Sequence, residues 1–448
     1  MRKRNIAQLC ISFIVLTVLA LLYGLSLYLQ MPKYWESIVC ATLIYILFTA
    51  AVLRFIQVFV SFLAGGSEPH MDREGDRTFR RCGVRELCKL ILLVMLLRVI
   101  ELLLTYILHF RLFGYAGTFF EIQRVWLDFY HVETAFPLYG YLSDVFWVVS
   151  FNFNHARFIA SYLFTALAGA SLYYLVQLDF DRKTARRAVA YFFLLPFSCL
   201  LMGTVPDGLF LLVSIGCLLF LRKRFYAAAN AFAMLAVLTH ALGVLLFFPI
   251  LLEYVVFIVD NIRSNREMEK GYAVKQIFNA LSFLLVPVGI GLVLLYARVR
   301  FGDPLALYRA AVEAFGITPS TPSDTLFRWF DRIFEATRVI RPDTVKILLA
   351  TALPQLVYLI GGCVLVILGC ERIRTSHVLL VLLTIASVLC AGYPDGMARC
   401  LTMTAPFTAA LAVRVKRGWV SAMLIILFTA SLVLYFYAFI AGYTGVVL

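Results

Sequence analysis

Long, uninterrupted runs of apolar residues recur from one end of this chain to the other, with the charges gathered in the segments between them. The runs do not alternate with period two, as the strands of a membrane β-barrel would. They read instead as helices that are apolar all round. The pattern predicts about thirteen spans, approximately 6–29, 37–64, 88–112, 157–178, 188–204, 208–221, 225–239, 241–259, 276–297, 347–369, 377–392, 399–413 and 419–443. The first run, Asn5 to Gln30, is too long for a signal-peptide core and is kept as a span. The expected fold class is an all-α polytopic membrane protein, with 1–448 as a single transmembrane domain.

Two of the spans are short. At 1.5 Å per residue, 208–221 and 225–239 reach roughly 21–23 Å, whereas the hydrocarbon core is roughly 30 Å thick. Polar turns at such a depth are tolerated only against protein or a water-filled cavity. An outward-open cavity is expected, with Asp207 and His240 near its floor. Between the spans, FGDPLALYRAAVEAF and DTLFRWFDRIFEATRVI read as two amphipathic helices separated by the breaker GITPSTPSDT. The second interleaves Phe327, Trp329, Phe330 and Phe334 with Arg328, Arg332 and Arg338, which suits a membrane interface.

Composition agrees. Apolar residues make up 62% of the chain and charged residues 15%, against an apolar share of roughly 45–50% in soluble domains. The ten cysteines fall in apolar runs or basic loops without CxxC spacing, so neither disulfides nor zinc is implied. The net charge of +14 is concentrated in every second loop, as in Arg2-Lys3-Arg4, Arg80-Arg81, Arg182-Lys183, Arg186-Arg187, Arg222-Lys223-Arg224 and Arg414, Lys416, Arg417. The positive-inside rule places these clusters and the amino terminus in the cytoplasm. The charge is then a topology signal with some attraction to anionic membrane lipids, and no nucleic-acid partner is expected. Segments 113–156 and 298–346 fall on the extracytoplasmic side.

That side carries the candidate chemistry. FEIQRVWLDFYHVETAFPLYG, residues 120–140, holds Glu121, Asp128, Glu133 and His131 among aromatics. Glu121 and Asp128 are seven apart, on nearly the same helical face. Phe119, Phe120, Trp126, Phe129 and Tyr130 would hold that helix at the membrane surface. Such a carboxylate can act as a general base on a hydroxyl; equally, the acids can form a solvated polar face. Asp207 in TVPDGLF is either an intramembrane functional acid or the N-cap of the next helix. His240 in LTHALG is either a donor to a phosphate or acceptor, or a satisfied core histidine. Arg399 can hold a lipid phosphate in bidentate fashion or be neutralised by Asp395. Arg98 and Glu101, three apart, read as an intrahelical pair. No metal-binding cluster, HExxH, GxSxG or phosphate-loop pattern occurs.

Four stretches in this order resemble a known family. AFPLYGYL (135–142) is similar to an AFFPLYP-type motif, and 181–254 to a central region with an acidic turn followed by T-R-x-x-G. FGDPLALYRA (301–310) is similar to a GDPLAF loop, and ARCLTMTAPFTAALA (398–412) to a closing R-Y-x-x-x-x-F-P-x-x-x-x-L-A element. The family is that of the GPI mannosyltransferase acting second in its pathway, with its bacterial relatives. These are C-type glycosyltransferases that use lipid-phosphate sugars. The likeness covers roughly 115–412. The family's W-D-x-x-W-Y is absent, and Glu121, followed by Trp126, is its closest match, with Asp128 in reserve. Asp207 stands where the family has glutamate, His240 where it has arginine, and Gly140 where it has the second proline of FPLYP.

The resemblance implies a GT-C-type fold of about thirteen transmembrane helices with extracytoplasmic interfacial helices. It divides the domain into an additional helix pair (1–87), a catalytic core (88–297) with external loop 113–156, an external loop (298–346) and C-terminal helices (347–448). It implies inverting transfer of a hexose, most simply mannose, from a polyprenyl- or dolichyl-phosphate donor to an extracytoplasmic lipid or glycan acceptor. Glu121 or Asp128 would be catalytic. Asp207, His240, Arg399, Asp303, Tyr139 and Glu133 would bind substrate, with neither metal nor cofactor. Short cytoplasmic loops and the lack of a retention tail point to a bacterial cell membrane, with the endoplasmic reticulum membrane as the alternative. A transporter or flippase without chemistry, and a membrane O-acyltransferase using His240, remain alternatives. A reporter fused near Tyr130 is expected to read as exported and one at Arg186 as cytoplasmic; the opposite pattern in a topology assay would overturn the orientation.

Overall fold

The computed structural model describes residues 2–29, 32–63, 88–96, 99–100, 103, 107, 136–151, 153–202, 205–263, 272–338 and 342–440. Glu121, Asp128, His131 and Glu133 lie outside the described residues, as do Arg98, Glu101 and about half of the run expected at 88–112. Among the described residues every regular element is helical. The α-helices are α1 (Arg2–Leu29), α2 (Trp35–Leu63), α3 (Pro137–Val145), α4 (Phe153–Asp179), α5 (Arg182–Leu194), α6 (Asp207–Arg222), α7 (Tyr226–Val237), α8 (Phe247–Arg263) and α9 (Tyr272–Ser282). They continue as α10 (Leu285–Phe301), α11 (Ala306–Phe315), α12 (Pro322–Arg338), α13 (Pro342–Gly369), α14 (Thr375–Cys390), α15 (Met397–Thr402), α16 (Ala405–Arg414) and α17 (Gly418–Ile440). A four-residue helical turn, Trp147–Ser150, lies between α3 and α4, and 3₁₀ segments Pro196–Met202, Ala241–Leu246 and Pro394–Gly396 follow α5, precede α8 and precede α15 respectively.

Among the described residues seven helices are long and apolar enough to cross a membrane: Gln8–Leu29, Trp35–Ser61, Ala156–Asp179, Ala241–Asn261, Gln276–Phe301, Ala352–Gly369 and Gly418–Tyr435. The chain is therefore built as an all-α, multi-pass membrane protein. Tyr226–Val237 and Thr375–Cys390 are apolar but shorter. Two expected spans are interrupted inside. The run at 188–204 leaves the α-helix before Pro196, and that at 399–413 breaks before Pro406. Proline lacks an N–H and clashes with the preceding turn, so it starts a new segment.

The chain packs into two compact units. One comprises the described parts of Met1–Glu74 and Val312–Arg414; the other comprises those of Gly75–Ala311 and Val415–Ile440. In the second, α6 is the centre, packed between α4 and α7, while α10 lies on α7 and α3 on α4. Its contacts rest on small residues: Ala156, Ala160, Ala166, Ala229, Ala233 and Ala236 are fully buried. Lipid tails are as apolar as leucine, so helices in a membrane gain by close backbone approach more than by hydrophobic exclusion. Asp179 at the end of α4 pairs with Arg222 at the end of α6, 2.7 Å apart, and closes one end of this helix pair.

In the first unit, α2 packs against α1, α12 and α13. The aromatic face of α12 is not a membrane-interface face as the sequence suggests. Phe327, Trp329 and Phe330 are buried, and Phe327 meets the ring of Tyr23 on α1 at 5.5 Å. Trp329 Nε1 donates to Asp395 at 3.0 Å, and Arg332 bonds the other oxygen of the same carboxylate at 3.2 Å. Polar bonds at both ends tie α12 to the N-terminal helix pair: Lys33 pairs with Glu335 at 2.7 Å and Arg338 with Glu36 at 3.1 Å. Ser323 donates to Ser26 at 2.8 Å.

At the start of α12, Asp324 is buried beside Arg328, 3.1 Å away. Burial raises its carboxyl above the usual carboxylate range, against the opposing pull of Arg328. An acid whose folded pKa is raised favours the folded chain once protonated, so this site destabilises the fold above the folded pKa and ceases to do so as pH falls through it. Asp324→Asn is expected to raise the thermal midpoint at pH 7, with the gain shrinking towards pH 4. Thermal unfolding in detergent across that range checks this; an asparagine variant less stable than the parent at pH 7 would contradict it.

Candidate functional site

The segment that begins AFPLYG enters α3 through Phe136, whose extended backbone (φ −66°, ψ 133°) is the conformation a residue before proline is driven to. Pro137 then opens the helix at a position where its missing N–H costs nothing. The next N–H, that of Leu138, donates to Leu238 O at 3.2 Å, so the end of α7 closes the start of α3. One residue on, Tyr139 is fully buried, and its hydroxyl donates to Arg157 O in the first turns of α4 at 3.0 Å.

Asp207 is also fully buried. It is the first residue of α6 rather than its cap: Pro206 occupies the cap position with helical dihedrals. A carboxylate there is favoured by the unsatisfied N–H groups and the dipole of the first turn. Packed protein, and not the aqueous floor expected from the sequence, surrounds Asp207. The reason lies in Gly208. A Cβ on it would stand 2.4 Å from Thr165 Oγ1 and 3.1 Å from Ser161 O. Only glycine lets α6 touch α4 here, and that contact delivers Asp207 to the Ser161 turn.

Tyr139 records the resulting electrostatics. Burial pushes its phenol far above the ordinary tyrosine range; Arg157 pulls the other way, Asp207 pushes further up, and a hydrogen bond with Ser161 lowers it slightly. Asp207, Arg157 and Ser161 thus all act on one hydroxyl, which stays protonated and serves as a donor. Arg157 Nε is itself shielded from solvent without a hydrogen-bond partner. Arg157 escaped sequence reading because a cation in the first turn of a span looks like an ordinary interfacial residue. Its role follows from the tyrosine above it.

His240 joins this group through aromatic contacts. Its ring stacks with Phe136 (6.4 Å, 12°) and meets Phe210, one turn after Asp207, at 5.2 Å. Its backbone is extended, and Nδ1 accepts the N–H of Leu242 at 3.1 Å, capping the 3₁₀ segment. The neutral ring therefore carries its proton on Nε2. Gly243 permits the tight return, since a Cβ there would lie 2.3 Å from Val237 N. Tyr139, Asp207 and His240, which come from three separated stretches, are brought into one cluster.

Two other candidates sit elsewhere. Asp303 follows the left-handed Gly302 that ends α10. One carboxylate oxygen accepts Leu305 N–H at 3.1 Å and the other pairs with Arg309 at 3.3 Å, so it shapes the start of α11. The structure thus gives this aspartate local work. Arg399, in the other unit, is buried in α15. The N–H of its neighbour Ala398 is taken by Gln355 Oε1 at 2.7 Å, and Asp395 is held by Trp329 and Arg332 as described. Glu121, Asp128 and Glu133 lie outside the described residues.

Comparison with known protein families, with curated proteins and with solved structures finds no match to this chain. Its functional reading therefore rests on the residues themselves.

Gly208→Val is expected to lower stability by about 1–3 kcal/mol through overpacking against α4. Gly140→Val, where a Cβ meets nothing within 4 Å, should cost less than the Gly208 variant. Thermal unfolding of the two variants checks the contrast; equal losses would remove Gly208 as the contact that sets Asp207.

Proposed function

We propose that this chain is an integral-membrane glycosyltransferase that moves a hexose, most simply mannose, from a polyprenyl-phosphate donor to an extracytoplasmic lipid or glycan acceptor with inversion. The supporting observation is the cluster itself. Residues 136–142, 205–210 and 238–243, from stretches that carry the family likeness, meet around Tyr139, Asp207 and His240. The ring of Tyr141 on α3 also meets Tyr296 on α10, the helix that leads into FGDPLA, at 6.4 Å. A GT-C-type arrangement with about thirteen spans, sited in a bacterial cell membrane with its active side outward, accommodates this reading.

In the proposed reaction, Glu121 or Asp128 takes the proton of an acceptor hydroxyl. The oxygen attacks the anomeric carbon from the face opposite the lipid phosphate. The bond from that carbon to the phosphate oxygen breaks, and its electron pair leaves on the polyprenyl phosphate. The Nε2 proton of His240 is a group suited to stabilise that charge, the electrostatic contribution that is usually largest. Asp207 and Tyr139, being buried, hold the frame of α3, α4 and α6 beneath the sugar. The lipid-borne donor is a substrate, and no cofactor is required.

Incubation with radiolabelled polyprenyl-phosphate mannose and membrane extract tests the proposal. Wild-type protein should transfer label, and the double variant Glu121→Ala, Asp128→Ala should lose about 10²–10⁴-fold of that rate. Undiminished transfer in the double variant would remove both acids from the mechanism, and no transfer by the wild type to any extracted acceptor would overturn the reading.

A further inference from the structure

The ends of α5 and α17 gather positive charge at one level of the membrane, and we infer that together they form a docking site for acidic phospholipid headgroups. The argument begins with register. The Arg187 guanidinium donates to Val415 O, and the Tyr191 hydroxyl bonds Ser421 Oγ at 2.8 Å. The Tyr191 ring meets Phe428 edge-on at 5.8 Å, and Phe197 meets Tyr435 at 4.3 Å. These pairs ascend together along both segments, so α5 with its 3₁₀ extension runs parallel to α17. Their N-terminal ends therefore lie side by side.

Those ends carry Arg182, Lys183 and Arg186 on one helix and Lys416 and Arg417 just ahead of the other, all exposed. Arg187, half-buried, ties the two groups together through Val415. Among the described residues, Asp179 pairs with Arg222, and Asp181 accepts the Thr184 hydroxyl at 2.5 Å. Both helix N-termini add positive potential in the same direction.

Depth in the membrane identifies the occupant. α17 is a candidate span that is largely unburied, presenting Met423, Ile426, Leu427 and Leu434 outward. Lipid tails are the environment such a surface requires. Trp419, 62% exposed, stands two residues after Arg417, where an indole marks the headgroup level. The cations accordingly sit in the layer that contains lipid phosphates, and each adds to attraction for anionic lipid. An acidic protein partner would have to reach the same layer past the headgroups.

The test uses the full chain in neutral detergent, with thermal unfolding followed as dioleoylphosphatidylglycerol or dioleoylphosphatidylcholine is added. Phosphatidylglycerol should raise the midpoint more than phosphatidylcholine, and inorganic phosphate at equal concentration should not. The variant R182Q/K183Q/R186Q/K416Q/R417Q should need about tenfold or more phosphatidylglycerol for half the effect. R298Q/R300Q, which removes two exposed cations at the end of α10, should respond as the parent does. An unchanged response in the five-site variant, an equal loss in the α10 variant, or an equal rise with free phosphate would each overturn the site. If the five-site variant does not insert, R186Q/K416Q takes its place; a parental response from it would equally overturn the proposal.

Discussion

A helix end inside a bilayer has no water to satisfy its free N–H and C=O groups, and much of this structure answers that constraint. α6 and α7 have 16 and 12 residues, or about 24 and 18 Å at 1.5 Å per residue, so neither crosses a core of roughly 30 Å. Their ends are closed by protein. Leu238 O receives the N–H of Leu138, His240 Nδ1 receives that of Leu242, and the carboxylate of Asp207 sits in the first turn of α6. The other unit uses the same device where Gln355 Oε1 takes the N–H of Ala398 near the start of α15.

The candidate site is a by-product of that closure. Groups needed to finish helix ends are polar, and finishing several ends at one place concentrates them. Tyr139, Arg157, Ser161, Asp207 and His240 assemble because α3, α4, α6 and the turn after α7 begin or end together. Aromatic rings then set the outer boundary: Phe136 and Phe210 flank His240. Burial makes this grouping consequential. The Tyr139 phenol stays protonated, and the charge of Arg157 acts on it in surroundings where water screens little.

Small residues allow the closure. Gly208 and Gly243 stand where any Cβ would meet a neighbour at 2.4 and 2.3 Å respectively. Each brings a functional side chain next to it in sequence, or three residues away, into position. Along α7, Ala229, Ala233 and Ala236 do the same for whole helices. In the unit that holds α12, large aromatics do the work instead: Phe327 packs on Tyr23 of α1, and the buried Trp329 bonds Asp395.

The apolar runs by themselves determined that this is a helical, multi-pass membrane protein, because a bilayer admits few alternatives to a continuous helix for so apolar a segment. They also marked Asp207 and His240, since polar residues at the tips of short spans stand out against that background. The breaks within 188–204 and 399–413 were less legible, as hydropathy averages across a proline without registering it. Only tertiary packing decided that the aromatic face of α12 meets protein rather than lipid, since both surroundings are apolar and select the same residues. It also decided that Asp303 serves the start of α11, and that Arg157 belongs beside Tyr139. Those outcomes depend on which distant elements come within a few ångströms, and one-dimensional spacing carries no record of such approach.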